Sequence, residues 1–151
     1  MSIQFSIATE IDLPRIITLL SDDELGKSRE NPALPLDPKY VQAFREISED
    51  PNNELIIAKE SESVVAVVQI TYIPNLTLIG SKRAQIEGVR VSPSHRGKGI
   101  GRKLFSFVLN RAKERGCKLA QLTMNNSRPD AFHFYEAIGF KATHVGFKLP
   151  I

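Results

Sequence analysis

A chain of 151 residues that is 42% hydrophobic has the length of one domain and enough apolar side chains to bury a core, and its formal net charge is +3. No apolar run approaches the roughly 18 residues of a membrane span, the N-terminus lacks the charged-then-apolar pattern of a secretion leader, and the single cysteine excludes an internal disulfide. These features read as a cytoplasmic domain with no membrane partner.

Charge is unevenly spread. Residues 96–118 carry eight Lys or Arg against one acid, whereas residues 22–62 carry eleven acids against five bases, so the two regions call for opposite ligands. The basic run has no aromatic side chains among its charges except Phe105 and Phe107, which fall in a helical pattern, and no nucleic-acid partner is expected.

Residues 3–8 alternate as a strand does, and Thr9 and Asp12 can cap the helix that follows, whose apolar face is Ile16, Ile17, Leu19 and Leu20. Residues 23–36 are polar, interrupted by Pro32 and Pro35, and read as a solvated connection. Asp37-Pro38 then opens a second helix with Tyr40, Val41, Phe44 and Ile47 on one face. Residues 54–59 and 64–72 are two strands around a turn at 60–63, and the unbroken apolar run from Val64 to Val68 predicts burial on both faces. After Pro74 the connection holds Leu76, Leu78 and Ile79, unusually apolar for a loop; they cover a site mouth, meet a second copy of the chain in a homodimer, or tuck back onto the domain. The strand at 84–91 contains Gly88, a sign of a bulge or of close backbone approach. A helix over 102–115 buries Leu104, Phe105, Val108, Leu109 and Ala112 and stops at Gly116. A strand at 119–123, a short helix from Pro129 to Gly139 and a final hairpin, 140–143 with 145–149, complete the chain. Cys117 reads as a small buried side chain rather than a nucleophile, because no His lies nearby in sequence to activate it.

The chemistry concentrates between strand 84–91 and the helix after it. Gly97, Gly99 and Gly101 stand at alternate positions directly before the helix, so backbone N–H groups can point into one concavity at the positive end of a helix dipole, a place suited to phosphate. A P-loop would need Ser or Thr after Gly-Lys to hold magnesium, and here Gly101 is followed by Arg102 and Lys103. A dinucleotide turn would need a third glycine where Arg102 stands and an acid about 20 residues on, and strand 119–123 ends without one.

Arg96-Gly97-Lys98-Gly99-Ile100-Gly101 instead resembles the Arg/Gln-x-x-Gly-x-Gly/Ala turn of the Gcn5-related (GNAT) N-acetyltransferases, preceded by that family's Val-x-Pro strand end at Val91-Ser92-Pro93. Glu87 stands where many members keep an acid, and Phe134-Tyr135-Glu136-Ala137-Ile138-Gly139-Phe140 is similar to the family's aromatic-Tyr-x-x-x-Gly-Phe helix end. The motifs cover the C-terminal half; the N-terminal half matches in its order of elements.

The resemblance implies an α/β fold, a twisted mixed sheet with helices on both faces, in one domain spanning residues 1–151. It further implies acetyl-CoA as donor, its pyrophosphate on the turn formed by Arg96, Gly97, Lys98, Gly99, Ile100, Gly101 and Arg102, and its pantetheine arm beside the backbone of Val89 and Val91. On the adenosine side Arg128 stands where the family often has Asn, with Asn126 slightly earlier. Transfer to a primary amine needs a proton acceptor, a donor to the carbonyl oxygen and a proton for the leaving thiolate. Glu87, the Val89 N–H and Tyr135 are the candidates. Glu87 alternatively pairs with Lys82, Arg83 or Arg90, and Tyr135 is alternatively a core aromatic beside Ala131, Phe134 and Ile138. His133 points away from Tyr135 on its helix, the role of His95 is open, and no His, Cys or acid spacing suggests a metal. The resemblance further implies that residues 22–30, between the first two helices, lie over the acceptor site, the alternative being a solvated loop, and the acidic segment 22–62 that flanks this side points to a cationic small-molecule or peptide acceptor. A catalytically silent CoA-binding or regulatory module is the alternative to an enzyme.

Overall fold

Strand β1 (Ile3–Ile7) pairs antiparallel with β2 (Asn53–Glu60), β2 with β3 (Ser63–Ile73), and β3 with β4 (Arg83–Val91). Helices α1 (Leu13–Leu20), α2 (Glu24–Arg29) and α3 (Pro38–Glu49) lie between β1 and β2 in sequence, and a short irregular turn of helix, α4 (Thr77–Gly80), links β3 to β4. Helix α5 (Ile100–Glu114) carries the chain over to β5 (Leu119–Leu122), giving the sheet order β1-β2-β3-β4-β5. The Lys118 N–H donates to the Lys82 carbonyl at 2.8 Å and Gln121 meets Gln85, so β5 advances in step with β4 and is parallel to it. Helix α6 (Pro129–Ala137) follows. The computed structural model describes residues 2–151 as two compact units, the first ending at Gln121 and the second being Leu122–Ile151.

The apolar spacing read from the sequence places the layers. Ile16, Ile17 and Leu19 of α1 and Phe44 of α3 pack with Ile57, Val64 and Val67 of β2 and β3. Residues 64–68 are all buried, as a strand sandwiched between layers must be. Helix α5 covers the opposite face with Leu104, Phe105 and Val108, each worth about 1.5–3 kcal/mol on full burial. Phe107 on the same helix stacks on Phe5 of β1, ring centroids 5.0 Å apart.

Local signals also hold. Asp12 accepts from the Thr9 N–H at 2.9 Å and the Thr9 hydroxyl at 3.1 Å, starting a 3-10 turn (Glu10–Asp12) that leads into α1. Burial works to raise the Asp12 pKa, but these bonds and Lys59 at 2.9 Å outweigh it and the net shift is downward. Asp37 caps α3 through the Lys39 N–H at 2.9 Å, with Pro38 at the first helical position.

Two expectations fail and one alternative is excluded. The solvated connection at 23–36 contains α2, because Asp23 caps it through the Gly26 N–H at 2.7 Å and Lys27 and Arg29 sit at its negative end. Gly26 is there by necessity, since a Cβ would lie 2.1 Å from the Leu20 carbonyl oxygen. Leu76, Leu78 and Ile79 do not tuck back; they are exposed on a turn where Leu78 and Ile79 have φ of 53° and 58°. The final hairpin does not form: residues 140–151 belong to no strand. Only His144 separates the two expected strands, and no Asn-Gly or Gly-rich pair supplies the left-handed turn that a tight hairpin requires.

One polar cluster fastens α5 to the sheet. The Glu54 carboxylate of β2 accepts from Arg111 of α5 and from the Tyr72 hydroxyl, while the Arg115 guanidinium lies 4.1 Å from the centre of the Tyr72 ring. Burial pushes the Tyr72 hydroxyl up to about 12, and its bond to Glu54 adds to the shift. Burial alone would also raise Glu54, but the bonds from Arg111 and Tyr72 leave it below its ordinary value. Since folded Glu54 holds a proton less tightly than unfolded Glu54, its stabilisation is complete above the unfolded value of 4.5 and is lost as pH falls through the folded one. Glu54→Gln should destabilise by about 1–3 kcal/mol at neutral pH; in unfolding scans the gap between wild type and variant should close on acidification, and a pH-independent gap refutes the assignment.

Candidate active site

The segment from Glu87 to Arg102 is one continuous piece of β4, turn and α5. Gln69 of β3 is opposite Glu87 and Val67 is opposite Arg90, so two residues of β4, Gly88 and Val89, face a single residue of β3. This is a bulge on β4, and Gly88 takes the φ of 62° it requires. Gly88 and Val89 thereby leave the one-to-one ladder. Glu87, immediately before the bulge, is exposed, and among the described residues no ion pair joins it to Lys82, Arg83 or Arg90. Arg90 instead donates to the Val89 carbonyl at 2.8 Å.

Beyond Val91 the chain is held by a buried serine. The Ser92 N–H donates to the Val65 carbonyl at 2.7 Å, and its hydroxyl receives Arg15 of α1 at 3.4 Å and meets the Ser94 hydroxyl at 3.3 Å. Ser94 contacts His95 Nδ1 at 2.9 Å, and His95 Nε2 lies 3.0 Å from Glu60. The His95 hydrogen bond holds the Glu60 carboxyl below the usual range. A 3-10 turn (Pro93–His95) thus sits on a side-chain chain running from α1 to the end of β2.

The glycines follow. Gly97 and Gly99 have φ of 74° and 79°, and a Cβ built on either meets nothing within 4 Å, so the space in front of the turn is open. Gly99 is the N-cap of α5, no side chain caps the helix, and no acid occupies its first turn. The N–H groups of Ile100, Gly101 and Arg102 lack carbonyl partners within the helix and carry the positive end of its dipole. Buried Ile100 pins the helix start, while Lys98 and Arg102 are exposed beside the opening. This cradle fits a phosphate-bearing group bound through backbone donors. Arg96 is committed elsewhere, donating to the Val91 carbonyl at 3.2 Å and to Asp22 at 2.9 Å.

The second unit carries the other candidates. Tyr135 is half-buried on α6 between Phe134 and Phe140, with centroids 5.4 and 6.0 Å away. Asn126 is exposed and Arg128 half-buried, in a turn where Asn125 accepts from the Ser127 N–H at 2.9 Å. His133 is exposed. Cys117, in the first unit, is half-buried, and burial pushes its thiol up, away from a reactive thiolate.

Residues 15–140 match the acetyltransferase (GNAT) family. The chain belongs to this family. It is 42% identical to streptothricin acetyltransferase of Streptomyces lavendulae over 60 residues, 40% of this chain and 32% of that protein. It is 30% identical to aminoalkylphosphonate N-acetyltransferase of Salmonella typhimurium over 101 residues, 65% of this chain and 63% of that one. The chain therefore spans between about a third and two thirds of the length of these curated relatives. A crystal structure from Bacillus halodurans, described as a transcriptional regulator, is 49% identical, covers 99% of this chain and 100% of its own, and superposes with a TM-score of 0.97.

Sequence reasoning found the turn, the bulge and the acid beside it. It missed Arg15, Ser92, Asp22 and Glu60, which hold the turn; the available signal was a Ser just before Pro93 at a strand end, which is too common to stand out. Gly99→Val would place a β-branched side chain at positive φ, straining the turn by roughly 1–3 kcal/mol, and would fill the open cradle. Calorimetry should show acetyl-CoA affinity falling more than about tenfold with the far-UV spectrum retained; unchanged affinity removes the turn from the binding site.

Proposed function

We propose that this chain is an acetyl-CoA-dependent N-acetyltransferase acting on a cationic primary amine, in a small molecule or a peptide, by direct attack in a ternary complex. The observation that carries the proposal is an exposed carboxylate, a bulge and an open glycine cradle at a helix N-terminus along one segment of a GNAT chain. The family match runs across the boundary between the two units, which supports reading them as one transferase domain.

In this reading the cradle from Arg96 to Arg102 binds the CoA pyrophosphate through backbone N–H groups, with Lys98 and Arg102 adding charge. Arg96 sets the shape of the turn. Val89 and Val91 offer backbone groups to the pantetheine arm, and Asn126 and Arg128 serve the adenosine side. Acetyl-CoA supplies the acetyl group. Glu87 takes a proton from the acceptor ammonium, directly or through water, freeing the nitrogen lone pair to form the new C–N bond. The Val89 N–H, released from the ladder by the bulge, donates to the carbonyl oxygen as charge builds there. Tyr135 gives its proton to the departing CoA sulfur as the C–S bond breaks, and the second proton that the nitrogen loses in becoming an amide returns to Tyr135 through solvent.

Tyr135→Phe keeps the ring and removes only the hydroxyl. Turnover should fall about 10²–10⁴-fold with little change in the acetyl-CoA KM, the mark of an interaction made in the transition state. Turnover within a few-fold of wild type would return Tyr135 to a packing role. Glu87→Gln should flatten the pH dependence of kcat/KM on the side where the base loses its proton, and an unaltered profile rejects Glu87 as base.

The acceptor proposal rests on the acid-rich segment 22–62. Asp22, Glu54 and Glu60 are bound to Arg96, Arg111 and His95, which leaves a smaller surplus of acids facing outward than the sequence count implies. Polyamines, aminoglycosides and basic peptides should still outcompete glutamate in a substrate panel; preference for the anionic amine would overturn the acceptor class. A regulatory module that binds CoA without turning it over is the second reading, favoured by the description of the Bacillus halodurans protein. Thiol release from acetyl-CoA across the amine panel separates the two. Several cations of the basic run are bound to acids inside the fold, and this supports a small-molecule over a nucleic-acid partner. No helix among the described residues is long and apolar enough to cross a membrane.

A further inference from the structure

The two faces of the sheet differ at its centre. On the α5 side Ile70 lies opposite Ile86 and Tyr72 opposite Ala84, and all four are 1% exposed or less. On the α1 side the same strands begin apolar, with Val67 in the core, and then turn polar: Gln69 and Thr71 follow at a period of two, with Glu87 and Gln85 of β4 directly opposite them. Arg83 ends the row on β4, and Gln121 of β5 widens it, donating to the Gln85 carbonyl oxygen at 2.7 Å. Gln69, Thr71, Arg83, Gln85 and Gln121 are all half-buried. Polar groups taken partly out of water need partners, and a face made only for packing carries none of them.

Part of this field satisfies itself. Asn53 Oδ1 accepts from Gln69 at 3.2 Å and from Thr71 at 2.7 Å, and the Asn53 amide nitrogen donates to Asp50 at 2.7 Å. The remainder is unmet. The Gln85–Gln121 bond joins one carbonyl to one amide nitrogen, so whichever way the two amides are turned, one carbonyl and one NH2 group are left over among the described residues. Arg83 Nε is buried without a hydrogen-bond partner, and among the described residues no carboxylate pairs with this guanidinium. A half-buried guanidinium in that condition calls for oxygen lone pairs from elsewhere.

Resting on the reading of Glu87 as the residue that meets the acceptor amine, we propose that the row Arg83, Gln85 and Glu87 selects the far end of the acceptor: it takes a primary amine whose chain ends in an oxygen-bearing group, hydroxyl or carboxylate, and rejects one that ends in a second ammonium. Strand alternation puts the three side chains on one face, with the Cα atoms of Arg83 and Glu87 about 13 Å apart, the span of a small molecule lying along β4. The amine sits at the Glu87 carboxylate, the terminal oxygen accepts from Arg83, and groups between them use the free amide nitrogen and carbonyl of the glutamine pair. A second ammonium at the far end meets a like charge and leaves the Arg83 donors unmet. The acidic segment then draws amines towards the domain, and Arg83 decides which of them fits.

Thiol release from acetyl-CoA is to be compared for ω-amino alcohols, ω-amino acids and diamines of matched chain length, from butane to octane. The diamine's kcat/KM should lie at least about tenfold below that of the better oxygen-ended amine, and whichever of those two is better identifies the oxygen as hydroxyl or carboxylate. Arg83→Gln should erase the discrimination and Arg83→Glu should reverse it, while Arg83→Lys keeps the charge and the order; thermal melts close to wild type show that the variants fold. If Arg83→Gln does not fold, Gln121→Glu adds an acid to the same row and should raise the diamine relative to the alcohol. A wild-type diamine rate that matches the oxygen-ended amines overturns the proposal, as does a preference that survives Arg83→Gln or, in its place, a ratio unmoved by Gln121→Glu. Release with amines of the wider panel but with none of this series overturns the proposal alone, whereas no release with any amine overturns the transferase reading and the proposal with it.

Discussion

The hydrogen bond from the Ser92 N–H to the Val65 carbonyl decides where the rest of the site can lie. At Ser92 the chain leaves β4, and this last tie to β3 fixes the direction in which it leaves. The hydroxyl of the same residue, buried with 3% exposure, meets Arg15 and Ser94, and Arg15 also donates to the Val64 carbonyl at 3.1 Å. A buried hydroxyl without partners would cost about 1–3 kcal/mol, so satisfying it selects one arrangement of α1, β3 and the turn. Everything beyond it inherits that arrangement, down to the open face of Gly97 and Gly99.

A second constraint acts at the far end of α5. A helix dipole is useful to a ligand only if the helix is held in place, and Glu54 holds α5 at its C-terminal end through Arg111, with Arg115 on the Tyr72 ring. Ile100, Leu104 and Phe105 are buried at the other end. The helix start is thus left without a side-chain cap while the helix itself is anchored along its length. Its unsatisfied N–H groups are then a binding surface whose cost is borne by packing elsewhere. The basic character of residues 96–118 has the same explanation in part: Arg96, Arg111 and Arg115 face acids of the fold, which leaves Lys98 and Arg102 as the cations beside the cradle.

Periodicity, capping residues and glycine spacing are local properties, and the structure follows them closely: the caps at Thr9 and Asp37, the buried run 64–68, the bulge at Gly88 and the turn into α5 were all legible. The interactions that fix the site are not local. Arg96 and Asp22 are 74 residues apart and Arg111 and Glu54 are 57 apart, and a sequence of many charges does not say which will meet. The end of the chain was misread for a related reason. Residues 140–151 have the alternation of strands, but alternation reports that a face wants burial and not what will bury it. Tyr135, Asn126 and Arg128 became candidates through motif similarity alone, since nothing in the composition of α6 or the turn before it distinguishes them from structural residues.

Gly26 closes the corner between α1 and α2, where a methyl group would lie 2.1 Å from a main-chain oxygen that cannot move aside as a flexible side chain could. Drift at that position is therefore blocked by geometry whatever substrate is under selection, because any other residue must first separate the two helices. Its neighbours Leu25, Lys27 and Ser28 are free of this restriction. Laboratory evolution of a new acceptor preference through this stretch should thus fix changes around residue 26 while leaving residue 26 itself invariant, a gap in the mutational record produced by packing alone.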